Sequence, residues 1–244
     1  MKFKAFNKRQ YEVLAERYYE CLFGNLTSLL WMIGQAPIIA LLIVLRWKTL
    51  QPTESLYFVI SLSAVWFGCI NSCGEIAKEK SILKREKLFG INMFSYLLSK
   101  VKILSIIGLI ETGLFTFILN NQIDLDVNLI SFYFPLFGLY FSGMAMGLFI
   151  SRWCGSVVNA IITVPVMIIP QIVFSKFVLP LDTLKGISVQ IEKIMIVKWG
   201  FEAIKYSCIS KMVFGDYLYS LFFLILIGIV FLILTLIHLC FVED

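Results

Sequence analysis

Long apolar segments alternate with short polar ones along most of the chain. Six of them are apolar over about 20 residues, the length that a helix needs to cross the hydrocarbon core of a bilayer. They are 26–46, 56–77, 94–119, 130–150, 156–178 and 216–241. They fill most of the 244 residues, which leaves no sizeable soluble domain. The pattern predicts an all-α membrane protein with six transmembrane helices.

Residues 6–22, ahead of the first apolar segment, have the pattern of an amphipathic helix. The apolar positions recur at helical spacing, namely Tyr11, Leu14, Tyr18 and Leu22. Three carboxylates stand four residues apart in a row, namely Glu12, Glu16 and Glu20. The row is either a solvated face or a surface for a cationic partner, and the basic run after the second segment is one candidate. Residues 186–207 are interrupted by charge and predict an external, re-entrant amphipathic hairpin rather than a seventh span.

Composition supports a membrane protein and charge gives its orientation. The chain is 59% hydrophobic and 15% charged, and its mean hydropathy is +0.88. The net charge of +5 does not indicate nucleic acid, since Lys and Arg cluster beside apolar segments. Cations precede the first segment and follow the second, whereas the loop after the third holds Asp124 and Asp126 and no cation. We expect a multi-pass protein of the cell (plasma or inner) membrane with both termini cytoplasmic, although the lysines of 179–215 disagree.

The chain offers little chemistry of its own. It has no Gly-x-x-x-x-Gly-Lys-[Ser/Thr] loop for nucleotide phosphates, no metal-ligand pattern and one histidine, His238. The sequence therefore predicts that this chain is not an enzyme and binds no cofactor. Glu111 is the exception, because it lies deep in the third apolar segment. It would bind a cationic substrate, carry a proton or pair with another helix.

The run Gly74 to Gly90, GEIAKEKSILKREKLFG, is dense in charge and separates the second and third segments. As a helix it would place Ile82, Phe89 and Met93 on one face, and Lys80, Lys84 and Lys87 on the other. On composition alone it is either an ordinary cytoplasmic loop or a surface helix that transmits force from a soluble partner.

The order of residues in this run resembles the segment between spans two and three of ABC exporter permeases of the G subfamily (white and pleiotropic-drug-resistance type). The matching positions are Glu79, Arg85-Glu86, Gly90 and Ser95-Tyr96-Leu97-Leu98-Ser99-Lys100. Softer matches lie in the right order along the chain, namely 10–25, Gln35-Ala36-Pro37, 147–151, Phe174-Ser175 followed by Pro180, and 198–204. Departures are the absence of a fused ATPase and Lys176 where a glycine is common.

The resemblance implies the following assignments. Residues 1–25 would be the family's N-terminal connecting helix, and 26–244 a single six-span export permease domain. The charged run would be a cytoplasmic coupling helix resting on a separate ATP-binding cassette ATPase, which would hold ATP and Mg²⁺. A second permease chain, identical or related, would complete a dimer. Residues implied in coupling are Glu79, Arg85, Glu86, Gly90 and Glu16; in the substrate cavity, Phe67, Asn71, Ile169 and Ile172; at an upper gate, Phe177.

The function implied is ATP-driven export of an amphipathic molecule, such as a lipid, drug or hydrophobic peptide, by alternating access. Two alternatives stay open. One is a polysaccharide or glycolipid export permease, which shares six spans and an N-terminal amphipathic helix. The other is a different class of protein, an ATPase-independent channel or a membrane-embedded enzyme.

Overall fold

A computed structural model describes residues 6–125, 127–175, 187–208 and 214–241. Within these ranges the chain is helical and has no strand. The helices are α1 (Lys8–Phe23), α2 (Leu26–Trp47), α3 (Glu54–Ser72), a 3₁₀ turn (Ala77–Glu79), α4 (Lys80–Leu88), α5 (Met93–Gln122), α6 (Leu129–Cys154), α7 (Val157–Val173), α8 (Ile187–Ile194), α9 (Ile196–Ser207) and α10 (Phe214–Phe241).

Polar residues start most of these helices. A side-chain oxygen just before the first turn accepts a hydrogen bond from a backbone amide that has no partner within the helix. The capping residues are Asn7, Asn25, Thr53, Asn92, Asn128 and Ser156. Apolar runs thus become helices with defined starts.

Five helices are long and apolar enough to cross a membrane. They are α2, α3 with the charged run that continues from it, α5, α6 and α10. The fifth predicted span, 156–178, forms α7, which has 17 residues. At ~1.5 Å per residue this helix is about 25 Å long, somewhat short of a hydrocarbon core of about 30 Å. Five of the six predicted spans therefore meet the length for crossing, and α7 is apolar but shorter.

The centre of the bundle is the contact between α3 and α6, and two glycines of α6 make it close. A Cβ on Gly143 would lie 2.3 Å from the backbone oxygen of Val65, and one on Gly147 would lie 2.4 Å from that of Cys69. Only hydrogen fits at these positions, a pattern typical of helices that pack tightly in membranes. The Ser72 hydroxyl then donates across the contact to the Met144 carbonyl at 2.9 Å.

Helix α9 packs at the end of the bundle where α3 begins. Its Trp199 ring stacks on Phe223 of α10 at 4.6 Å between centroids, and Lys205 forms an ion pair with Glu54. The predicted segment 186–207 is thus two short helices, and α9 is largely buried against the spans. The charged run lies beyond the other end of α3, so the two features occupy opposite ends of the bundle.

Helix α1 confirms the predicted amphipathic helix. Leu14, Tyr18 and Leu22 are buried, and α1 packs chiefly on α5. The carboxylates Glu12, Glu16 and Glu20 are exposed, as the predicted spacing requires.

Candidate coupling surface and intramembrane recess

The "charged end" denotes α1, the 3₁₀ turn, α4 and the first two turns of α5. Hydrogen bonds between termini join α1 to α5. The backbone N–H of Asn7 donates to the Ser95 hydroxyl at 3.1 Å, and the backbone N–H of Asn92 donates to Oε1 of Gln10 at 3.0 Å. The start of α1 is therefore held against the start of α5.

Glu79 lies at the centre of this end. Its carboxylate accepts from Lys100 Nζ at 2.6 Å and from the Tyr96 hydroxyl at 2.9 Å. The Lys100 side chain is only 1% exposed, and its ammonium lies 3.6 Å from the centroid of the Tyr18 ring. A buried ammonium is stable only with such partners, so these contacts fix the 3₁₀ turn to both α5 and α1.

Glu75 forms a second, adjacent group. It accepts from the Tyr18 hydroxyl at 2.9 Å and from Lys78 Nζ at 2.6 Å. Burial, together with the charge of Glu75, raises the pKa of Tyr18 well above its ordinary value. The phenol therefore stays protonated and donates to the carboxylate, which links α1 to the end of α3.

Helix α4 is tied to both neighbours. Arg17 of α1 forms an ion pair with Glu86, and Lys87 Nζ donates to the backbone oxygen of Leu239 in α10 at 3.2 Å. Burial acts to lower the pKa of Arg17, but the hydrogen bond and charge of Glu86 outweigh it and raise that pKa. A displacement of α4 would therefore also displace α1 and α10.

Gly90 follows the end of α4 and has φ 81°. The Gly90 amide donates to the Lys87 carbonyl at 3.1 Å and the Ile91 amide donates to the Glu86 carbonyl at 3.2 Å. This pair of bonds is a Schellman cap, which favours glycine in its left-handed position. The role visible for Gly90 is therefore to turn the chain from α4 into α5.

The apolar face predicted for the charged run is wrong in part. Leu83 is the buried residue of α4, whereas Ile82 is 41% exposed and Phe89 is 86% exposed. Because the chain turns at Gly90, Phe89 and Met93 do not belong to one helix. Leu88, also 86% exposed, and Phe89 form an apolar pair at the tip of α4.

The residues to which the resemblance assigns a coupling role fall into two groups. Glu79 and Glu86 hold the charged end together, and Gly90 shapes it. Arg85 and Glu16 are exposed, and their predicted roles stay predictions. Sequence reasoning missed the part played by Lys100, Tyr96 and Tyr18; the signal was a lysine and two tyrosines on otherwise apolar helix faces.

Inside the bundle, Glu111 of α5 has no exposed surface. The Asn71 amide donates to its Oε2 at 2.7 Å, and the Gln35 amide donates in turn to Asn71 Oδ1 at 2.8 Å. Oε1 of Glu111 is buried and has no hydrogen-bond partner among the described residues. Among the three roles that the sequence leaves open for Glu111, the structure shows a contact with another helix. The side-chain amides of Asn71 in α3 and Gln35 in α2 form this contact, and no cation takes part in it.

This link reaches a recess between α2, α3 and α7, which we call the "intramembrane recess". It has a volume of about 250 Å³. Its polar lining includes Gln35, Asn71, Glu75 and Lys78; its apolar lining includes Trp31, Met32, Ile70, Val157 and Ile161.

The predicted cavity residues are only partly brought together. Asn71 lines the intramembrane recess, and Ile169 is 54% exposed on α7, with Ile172 half-buried beside it. Phe67 has no exposed surface and packs edge-to-face on Phe115 at 5.2 Å. In this conformation its ring is a core residue and is not open to a substrate. Phe177, the predicted gate, lies outside the described residues.

No group of three metal-ligating side chains comes together in the part of the chain that the structure describes. Residues 9–209, about four fifths of the chain, match the family model described as ABC-2 type transporter. A search among curated proteins finds no significant match to the chain.

Proposed function

Since the chain belongs to the ABC-2 type transporter family, we propose that it is the permease subunit of an ATP-driven exporter of the G-subfamily type, powered by a separate ATP-binding cassette ATPase. Two such permeases, identical or related, would face each other in the cell membrane. An amphipathic molecule would leave the cytoplasm or the inner leaflet by alternating access. ATP and Mg²⁺ would be held by the ATPase.

The observation that carries this proposal is the construction of the charged end. Three carboxylates, Glu75, Glu79 and Glu86, join α1, α3, the 3₁₀ turn, α4 and α5 through paired cations and phenols. The apolar pair Leu88 and Phe89 protrudes from this rigid unit and would contact the ATPase. Packed, hydrogen-bonded elements move together, so a push on α4 would displace α1 and the spans as one body.

A membrane-embedded enzyme or an ATPase-independent channel would have no need of such a unit. The G-subfamily type is supported by the Arg85-Glu86 order and by the Trp199-Gly200-Phe201 motif, of which Trp199 and Phe201 are buried in α9. These features favour this type over a polysaccharide-export permease.

Purification with native partners tests the proposal. We expect an ATP-binding cassette subunit to co-purify, and Phe89→Ser to weaken that association because it removes the larger side chain of the protruding apolar pair. Lys8→Ser, at an exposed site at the start of α1, is the control. Transport by the reconstituted chain without any ATPase would contradict the proposal. Unchanged association of the double variant Leu88→Ser/Phe89→Ser would contradict it as well.

A further inference from the structure

Helix α5 carries two lysines in its first three turns, and their surroundings differ. Lys100 is buried and forms an ion pair with Glu79. Lys102 is exposed, and no carboxylate of the described residues lies within ion-pair distance of its ammonium. That ammonium lies 5.5 Å from the centroid of the Tyr11 ring in α1. Lys102 is therefore a cation that the described part of the protein does not neutralise.

Lys102 lies on the face of α5 that would meet lipid. Ile106 and Leu109 follow it at i+4 and i+7 and share its face, and both are exposed. Along the helix axis Lys102 is about 3 Å beyond Lys100, at ~1.5 Å per residue. It thus lies where the charged end meets the apolar surface of the span. A lysine at this level extends its aliphatic stem along the hydrocarbon and places its ammonium among lipid head groups.

A chain of three aromatic rings adjoins Lys102 through Tyr11. The Phe6 ring lies 5.6 Å from that of Tyr11 and 6.2 Å from that of Phe94 in α5, and both phenylalanines are exposed. Tyrosine is enriched at membrane–water interfaces, because its ring is apolar and its hydroxyl is polar. The cleft between α1 and α5 therefore offers a cation and a phenol next to an apolar surface.

We propose that Lys102 and Tyr11 form a binding site for one anionic phospholipid of the leaflet at the charged end. The lipid phosphate binds the Lys102 ammonium, and an acyl chain lies along Ile106 and Leu109. An anionic lipid is favoured over phosphatidylcholine because phosphatidylcholine carries its own cation, whereas a net negative head group is attracted to the unneutralised lysine. The lipid contacts both α1 and α5. The site needs neither ATP nor an ATPase, so it does not rest on the transport function.

Photolabelling of the purified chain in phosphatidylcholine nanodiscs tests the proposal. The probes are phosphatidylglycerol and phosphatidylcholine with the same diazirine near the start of one acyl chain, and mass spectrometry locates the labelled residues. We expect phosphatidylglycerol to label residues 101–110 at least about fivefold more than phosphatidylcholine does. Lys102→Gln is expected to remove this preference, and Lys102→Arg to keep it. Lys48→Gln, at an exposed lysine just beyond the other end of α2 from α1, is the matched control and is expected to keep it as well.

Inorganic phosphate distinguishes a lipid site from a site for the free anion. Phosphate lacks acyl chains, so an excess of it is expected not to displace the phosphatidylglycerol label, whereas displacement would show an ion site and overturn the proposal. Equal labelling of residues 101–110 by the two lipid probes in the wild-type chain also overturns it. So does a phosphatidylglycerol preference that Lys102→Gln leaves unchanged.

Discussion

The carboxylates of the charged end and the carboxylate inside the bundle are both buried or partly buried, yet they are satisfied very differently. Glu79 has an ammonium and a phenol, and Glu86 has a guanidinium. Glu111 has one amide, and its Oε1 has no partner among the described residues. A satisfied network makes a rigid unit, whereas a buried polar group that lacks a partner costs stability. We infer that the first site stabilises the fold and that the second contributes little to its stability.

Breaking the Glu79–Lys100 pair is expected to have the largest effect. Lys100→Met leaves a partly buried carboxylate without its cation, which typically costs ~3–5 kcal/mol. The free energy of unfolding in detergent or nanodiscs is the measurement. Adding Glu79→Gln to Lys100→Met is expected to restore much of the loss. Lys8→Met, at an exposed pair, is expected to change nothing; a loss no larger than this control would remove the distinction between the two sites.

Gly90→Ala comes next in size. The φ of 81° lies in the left-handed region, where a Cβ costs roughly 1–2 kcal/mol. Gly34→Ala is the matched control, because Gly34 lies within α2 and a Cβ there would meet no atom within 4 Å. Alanine is expected to be neutral or stabilising at that site. Equal melting temperatures for the two variants would show that the turn after α4 is not held as described.

Glu111→Gln is expected to have the smallest effect on stability. A glutamine keeps the shape and can still accept from Asn71, and no ion pair is lost because the hydrogen-bond partner of Glu111 is an amide. The free energy of unfolding is therefore expected to stay the same or to rise slightly. Destabilisation as large as that of Lys100→Met would mean that Glu111 is a structural ion and would break the comparison.

The sequence predicts the layout of this protein better than its contacts. Apolar length alone places the spans, and helical spacing identifies the buried face of α1. The face of α4 could not be predicted, because its end depends on the left-handed turn at Gly90, and a helix continued through that turn wrongly groups Phe89 with Met93.

Long-range pairs are the other limit. Glu79 and Lys100 are 21 residues apart, and Asn71 and Glu111 are 40 residues apart. Each pair joins two elements, and no local sequence pattern predicts how these elements are rotated relative to each other. The burial of Glu111 follows from its place in an apolar segment, but its link to Gln35 through Asn71 does not. The same limit explains the difference at Phe67. The resemblance assigns this residue to the substrate cavity, whereas in the structure it packs on Phe115 of α5 in the core.

The most direct test of the central claim is the rate of substrate-stimulated ATP hydrolysis by the permease reconstituted with its ATPase, compared between the wild-type chain and Glu86→Ala. Loss of the Arg17–Glu86 pair is expected to leave assembly intact and to lower the stimulated rate several-fold, because the direct contact that transmits movement from α4 to α1 would be lost. The exchanged pair, Arg17→Glu with Glu86→Arg, is expected to recover much of the rate. Wild-type hydrolysis and transport by Glu86→Ala would contradict coupling through the charged end.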